Sequence, residues 1–284
     1  MTKKIVALVD GSVYSRSVCE NAAWAASRLG AAVELLHVLG RREGADSADL
    51  SGSIALGARS ALLEELTALD EQRAKLQQQR GRAILEDAKA VIEAAGVSAV
   101  TTRLRIADLV ETTAEAEAHA DMLVIGKRGE AADFARLHLG SNIERIVRAS
   151  HKPVYIAARA FRAPERFLIA FDGGPSSLKA VDHIVSDTLL AGLECHLLMA
   201  GDAGADLRRR FDDAGGRLKA AGFEVKSFVA SGAPETAIAG HIETHEIGLL
   251  VMGAYGHSRI RSLIIGSTTT EMIRSCKVPV VLFR

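Results

Sequence analysis

Three glycines, Gly253, Gly256 and Gly266, stand in the stretch "MGAYGHSRIRSLIIGS", and Ser267 directly follows the last of them. Without a Cβ, such positions let a chain turn sharply and let a bulky group come close to its backbone. The stretch leaves the apolar run "IGLLV" and leads into "STTTEMIRSC", which reads as a helix. The first N–H groups of a helix have no internal partners. Together with the hydroxyls of Ser267 and Thr268 they suit phosphate oxygens. The chemistry on offer is therefore anion binding by main-chain amides. A bare loop and helix cap is the competing reading. Hydrogen bonds to charged groups contribute roughly 1.5–3 kcal/mol each. Three or four of them, with a base in an apolar slot, reach the roughly 8 kcal/mol of micromolar binding after association costs.

Local geometry has to do this work, because no long-range field is available. The 284 residues carry 35 Lys plus Arg against 35 Asp plus Glu, which excludes a general attraction for nucleic acid or an acidic membrane. With 48% hydrophobic residues, a substantial core is expected. Cys19, Cys195 and Cys276 are far apart, odd in number and without a CxxC pair, so they read as small buried hydrophobes in a reducing compartment. The opening "MTKKIVALVDGS" has too few consecutive apolar residues for a signal core, and no run approaches membrane-spanning length. A cytoplasmic protein is the expectation.

The glycines belong to a repeat. "KKIVALVDGSVYSRSVCENAAW" parallels "ERFLIAFDGGPSSLKAVDHIVS", which matches Asp10 with Asp172 at the end of an apolar run. "VELLHVLG" parallels "ECHLLMAG" and "DMLVIGKRG" parallels "GLLVMGAYG", while "LHLGSNIERIVRASHKPVYIAAR" parallels "LIIGSTTTEMIRSCKVPVVLFR". The two copies are expected at 1–158 and 159–284. In each, short Val/Ile/Leu runs that read as strands buried on both faces alternate with amphipathic stretches. That order predicts an α/β fold with a doubly wound parallel sheet of about five strands per copy. Such sheets bind ligands beyond the carboxyl ends of their strands, where strand order reverses. The copies differ most at 41–96, where one long helix is expected, interrupted in composition only by Gly81. Leu62, Leu69, Leu76 and Ala83 recur every seven residues on it, but Arg73 and Arg80 spoil a coiled-coil seam.

The spacing Gly, two residues, Gly, nine residues, Gly-Ser in "GAYGHSRIRSLIIGS", with Asp172 and the closing "CKVPVVLF", resembles the nucleotide-binding universal stress protein family. Both halves are similar to it, as in its tandem type. The resemblance implies two Rossmann-like units of strand order 3-2-1-4-5, paired through their last strands, with ATP, ADP or AMP in the cleft, with or without Mg. It implies that Asp172 faces the ribose or a phosphate-bound metal and that the Met199 backbone meets adenine. Gly253, Gly256, Gly266, Ser267 and Thr268 would hold phosphate. Asp172 as a cap of the following helix is compatible with that role. In the first half the matching positions are Asp10, Val38, Gly126, Gly129, Gly140 and Ser141. There, however, ten residues separate Gly129 from Gly140, and Glu130 and Asp133 enter the loop, with Lys127 and Arg128 to offset them. Beyond the internal pairing of halves, a homodimer is a further expectation.

No catalytic set is evident, so at most slow hydrolysis is expected, and the chain reads as a nucleotide-dependent switch or partner-binding protein. His257, Arg259 and Arg261 could reach a γ-phosphate but read as exposed loop residues. Walker A and GxGxxG motifs are absent. "FDGGPSS" is faintly similar to the SGGxDS loop of ATP-pyrophosphatase-type ligases, with its leading Ser and its Asp both replaced. A scaffold with empty clefts is the remaining alternative. His241 and His245, four apart on a probable helix, have a zinc-ligating spacing, but the sequence shows no third ligand, so they read as a structural pair.

Overall fold

A computed structural model describes residues 2–40, 56–127, 141–201, 204–254 and 266–284. The first copy runs β1 (Lys4–Leu8), α1 (Ser15–Leu29), β2 (Ala32–Leu39), α2 (Leu56–Ala94), β3 (Val100–Ile106), α3 (Leu109–Glu117), β4 (Met122–Gly126), α4 (Ser141–Ala149) and β5 (Val154–Ala157). The second runs β6 (Arg166–Ala170), α5 (Pro175–Ser186), β7 (Glu194–Ala200), α6 (Ala205–Ala220), β8 (Val225–Ala230), α7 (Pro234–Thr244), β9 (Leu249–Gly253), α8 (Ser267–Ser275) and β10 (Val280–Phe283).

The strands form one sheet in the order β3-β2-β1-β4-β5-β10-β9-β6-β7-β8. Each half is thus a parallel 3-2-1-4-5 array, and the halves meet where β5 and β10 pair antiparallel, with Tyr155 opposite Val281. Continuous apolar runs were needed because both faces are covered. Phe167 and Ile169 enter one core while Leu168, between them, enters the other. Further contacts tie the halves together. Arg28 at the end of α1 donates to the carbonyls of Leu189 and Ala191, and Thr188 Oγ1 donates back to the Arg28 carbonyl at 3.0 Å. Lys3 Nζ reaches Asp187 Oδ2 at 2.7 Å.

The expected long helix is α2, of 39 residues; at 1.5 Å per residue it extends about 58 Å, far beyond any strand. Among its described residues the C-terminal part packs, through Ile84, Leu85, Ala88, Val91 and Ile92. Gly81 marks where the helix crosses the sheet. A Cβ there would stand 2.8 Å from Leu104 Cδ1 and 3.0 Å from His37 Cδ2. The seven-residue stripe does not pack on the domain, since Leu62, Leu69 and Leu76 are exposed, as is Leu66. Residues 41–55 of the expected insertion lie outside the described residues.

All three cysteines are buried and unpaired. Burial pushes the thiols of Cys19 and Cys195 up to about 12, so they are neutral packing groups, as read from their spacing. No helix among the described residues is long and apolar enough to cross a membrane.

Candidate functional site

In a 3-2-1-4-5 array strand order reverses between the first and fourth strands, here β1/β4 and β6/β9. Of the predicted residues, Asp172 and Gly253 stand at the carboxyl end of β6/β9, with Gly266, Ser267 and Thr268 at the start of α8. Asp172 follows β6 and is half-buried; its Oδ1 accepts from the Gly174 N–H at 2.9 Å and from Ser177 Oγ–H at 2.7 Å. The Ser177 hydroxyl also lies 3.0 Å from the Gly174 carbonyl. Asp172 therefore braces the turn into α5 but does not cap the helix in the usual way, because the cap position is held by Gly174, which has no side chain. Asp10 does the same in the first copy, accepting from the Ser12 N–H at 3.0 Å and Ser15 Oγ–H at 3.2 Å.

Gly253 was expected to allow a sharp turn. It closes β9 opposite Phe283, and it is not among the glycines of positive φ. Its missing side chain answers a different need. A Cβ would lie 2.8 Å from Ser176 Cβ and 3.2 Å from the Ser177 backbone nitrogen, so only glycine lets β9 end against the first turn of α5. On its other side, the Gly253 carbonyl accepts from Thr269 Oγ1–H at 3.2 Å. Gly266 precedes α8 as its N-terminal cap residue and donates to the Ala254 carbonyl at 3.4 Å. Among the described residues no side chain caps α8, and Ser267 is exposed with Thr268 partly so. The brace of Asp172, the end of β9 and the start of α8 are thus in contact through one residue, Gly253.

Two contributors were missed in sequence. Ser177 recurs as Ser15, five residues after the aspartate in both copies, and that recurrence was the available signal. Arg210 of α6 donates from Nη1 to the Gly173 carbonyl at 3.1 Å, bringing a guanidinium to the same turn. Its ion pair with Asp206 at 3.1 Å, four residues away, made it look like an ordinary helix-surface residue. Since Ser177 is buried and bound to a carboxylate, Ser177→Ala is expected to destabilise the protein by about 1.5–3 kcal/mol, read as a lower urea midpoint at unchanged slope.

Other predicted positions fall less neatly. Val38 and Met199 are not equivalent. β1 sets Val6 beside Glu34 and β6 sets Leu168 beside His196. Counting from the matched aspartates, Met199 therefore corresponds to His37 and Val38 to Ala200. A slip of one residue turns a strand side chain to the other face, and Met199 indeed lies in one core while Val38 packs against the other. Gly126 ends β4 beside Ala157 as Gly253 ends β9 beside Phe283, and Ser141 opens α4 as Ser267 opens α8. Lys127 points its amine at the Cys276 carbonyl across the junction. Gly256, Gly129, Gly140, Glu130, Asp133, Arg128, His257, Arg259 and Arg261 lie outside the described residues.

Known proteins share this sequence and architecture. Universal stress protein Slr1230 of Synechocystis is 36% identical over 286 aligned residues, which cover 99% of this chain and all of the relative. A crystal structure of a universal stress protein from Archaeoglobus fulgidus matches with a TM-score of 0.69 at 24% identity, covering 99% of this chain and 96% of that one. A Pseudomonas aeruginosa protein of unknown function, PA1789, matches in fold at a TM-score of 0.63 and 15% identity, over 99% of this chain and 92% of its own. The profile of the Universal stress protein family matches twice, over residues 1–158 and 164–284, and the chain belongs to that family.

Proposed function

We propose that the second copy binds an adenine nucleotide, ATP before ADP or AMP, and that the chain is a cytoplasmic stress-response protein in which occupancy biases a conformation or a partner. The observation that carries this reading is the position of Gly253, pressed against α5 on one side and tied to α8 on the other. One backbone junction thereby puts the Asp172 carboxylate and the open amides of α8 along a single edge. In this reading the amides near Gly266, Ser267 and Thr268 hold phosphate, with Gly253 and Gly256 leaving room for it. Asp172 faces the ribose or a Mg ion on the phosphates, and the Met199 backbone meets adenine. The Arg210 guanidinium adds a cationic group beside the Asp172 turn.

The first copy offers Asp10, Gly126, Gly129, Gly140 and Ser141 as a matching site, with Val38 or its neighbour His37 in place of Met199. We take the units to be 1–158 and 159–284, held as an internal pseudo-dimer through β5 and β10, with homodimerisation as a further step. The family's name supports the stress-response part of the reading.

Mass spectrometry of nucleotide released from the purified chain, followed by titration with ATP, ADP and AMP, tests the proposal. Micromolar binding of at least one nucleotide is expected, with Asp172→Ala weakening it by about tenfold, equivalent to one hydrogen bond. No bound nucleotide and no saturable titration would refute it.

A further inference from the structure

Sequence placed His241 and His245 one helical turn apart and found no third ligand; the fold supplies one from a strand. His196 of β7 lies under the end of α7. One ring nitrogen from each of His196, His241 and His245 can be chosen so that all three lie within 4.8 Å of one another. Their ring centroids are 4.2 to 5.1 Å apart. This cluster sits toward the amino end of β7, three residues before Met199, and shares no residue with the proposed nucleotide cleft.

We propose that His196, His241 and His245 form a binding site for a borderline divalent transition-metal ion, best fitted by zinc, bound through three imidazole nitrogens with a fourth position open. Several observations favour a ligand set over simple ring packing. His196 is buried, and its Nε2 is 2.6 Å from Glu194 Oε1. Glu194 Oε1 also receives the Lys226 amine at 2.9 Å. With that oxygen as acceptor, His196 donates from Nε2, which leaves the lone pair of Nδ1 facing His241. That is the carboxylate–histidine arrangement which orients a metal ligand and raises its basicity. At present Nδ1 is 2.8 Å from His241 Nε2, a contact a metal would replace.

The cluster is also reachable. Beside it lies a surface cavity of about 550 Å³ lined by Glu194, Glu243 and Glu246 against Arg166 and Lys226, leaving an excess of negative charge for an arriving cation. Four-coordinate zinc at about 2.0–2.1 Å from nitrogen needs ligand atoms ~3.3 Å apart, a side-chain adjustment of about an ångström from the spacing seen. Among the described residues the first copy has no such set. The position equivalent to His196 is Glu34, a buried carboxylate with Arg103 Nε at 2.5 Å from one oxygen and Lys4 ion-paired to the other.

The test uses the full-length chain without an affinity tag, stripped with chelator and titrated with Co²⁺. One equivalent should bind with the visible ligand-field bands of a four-coordinate nitrogen site, and Zn²⁺ should displace it. His241→Ala and His245→Ala should each weaken Zn²⁺ binding by more than about 100-fold. Glu194→Gln should weaken it by about 10–100-fold while keeping one equivalent, a change expected of an orienting partner and not of a residue that merely packs. His245 lies beyond the end of α7 and is only partly buried, so its variant should fold even if one of the others does not. Absence of one-equivalent binding, or binding unchanged in folded His245→Ala, overturns the proposal.

Discussion

Replacing Gly253 with valine is expected to weaken ATP binding by about 100-fold and to destabilise the protein by about 1–3 kcal/mol. The stability term follows from geometry alone. A Cβ at this position would meet Ser176 Cβ at 2.8 Å and the Ser177 nitrogen at 3.2 Å, and Ser176 is a buried part of α5 whose backbone cannot swing aside. Overpacking of this kind forces backbone shifts of that cost. The affinity term rests on the proposed site. Pushing β9 from α5 also moves the carbonyl that Thr269 of α8 holds, so the Asp172 turn and the α8 amides lose their common frame. Loss of about two charge-assisted hydrogen bonds amounts to about 3 kcal/mol, or about two decades of affinity. Isothermal titration with ATP on variant shown to be folded by circular dichroism checks this. Native affinity in a folded, destabilised Gly253→Val chain would keep the packing argument and remove the phosphate assignment.

Tyr155→Ala is expected to cost about 3–5 kcal/mol, the range for deleting a large buried aromatic ring. Tyr155 is fully buried at the centre of β5, between Val124 of β4 and Val281 of β10, with Trp24 against its ring at 6.5 Å between centroids. Its hydroxyl donates to Asn21 Oδ1 at 2.8 Å, and Asn21 Nδ2 is already committed to the Ser17 carbonyl at 2.7 Å. Burial pushes the phenol up, so it remains a donor across the working pH range. Truncation therefore leaves a cavity and also strips a buried amide oxygen of its donor. Tyr155→Phe separates the two losses and should retain all but about 1–3 kcal/mol. Because β5 pairs with β10 across the junction of the halves, the alanine variant should also lose cooperativity, with two transitions in urea where one is expected of the parent chain. A single transition at the parent midpoint would mean that the seam does not depend on this ring.

The repeat and the alternation of buried strands with helices could be read from the sequence, while the strand order came with the family resemblance. Strands buried on both faces must be continuously apolar, and the match of Asp10 with Asp172 fixed where each first strand ends. The length of α2 was legible too, because helix-forming residues, interrupted only by Gly81, run past any strand's reach. What Gly81 and Gly253 are for was not. Gly253 looked like backbone freedom and Gly81 like a break in a helix-forming stretch, yet both are demanded by neighbours distant in sequence, Leu104 and His37 for Gly81 and Ser176 for Gly253. Local composition carries no record of such approaches.

Register was the other thing that only the sheet could decide. Aligning "HVLG" with "LMAG" by eye placed Val38 opposite Met199. The ladders shift the match by one residue, and with a period of two that puts the pair on opposite faces. The packing of α7 on β7 brings His196 to His241 and His245 at the end of α7, 45 and 49 residues along the chain. Spacing along the sequence could show two ligands on one helix because a helix repeats locally. The third comes from a neighbouring strand, and that proximity is fixed by parallel crossover connections, which no short stretch of sequence contains.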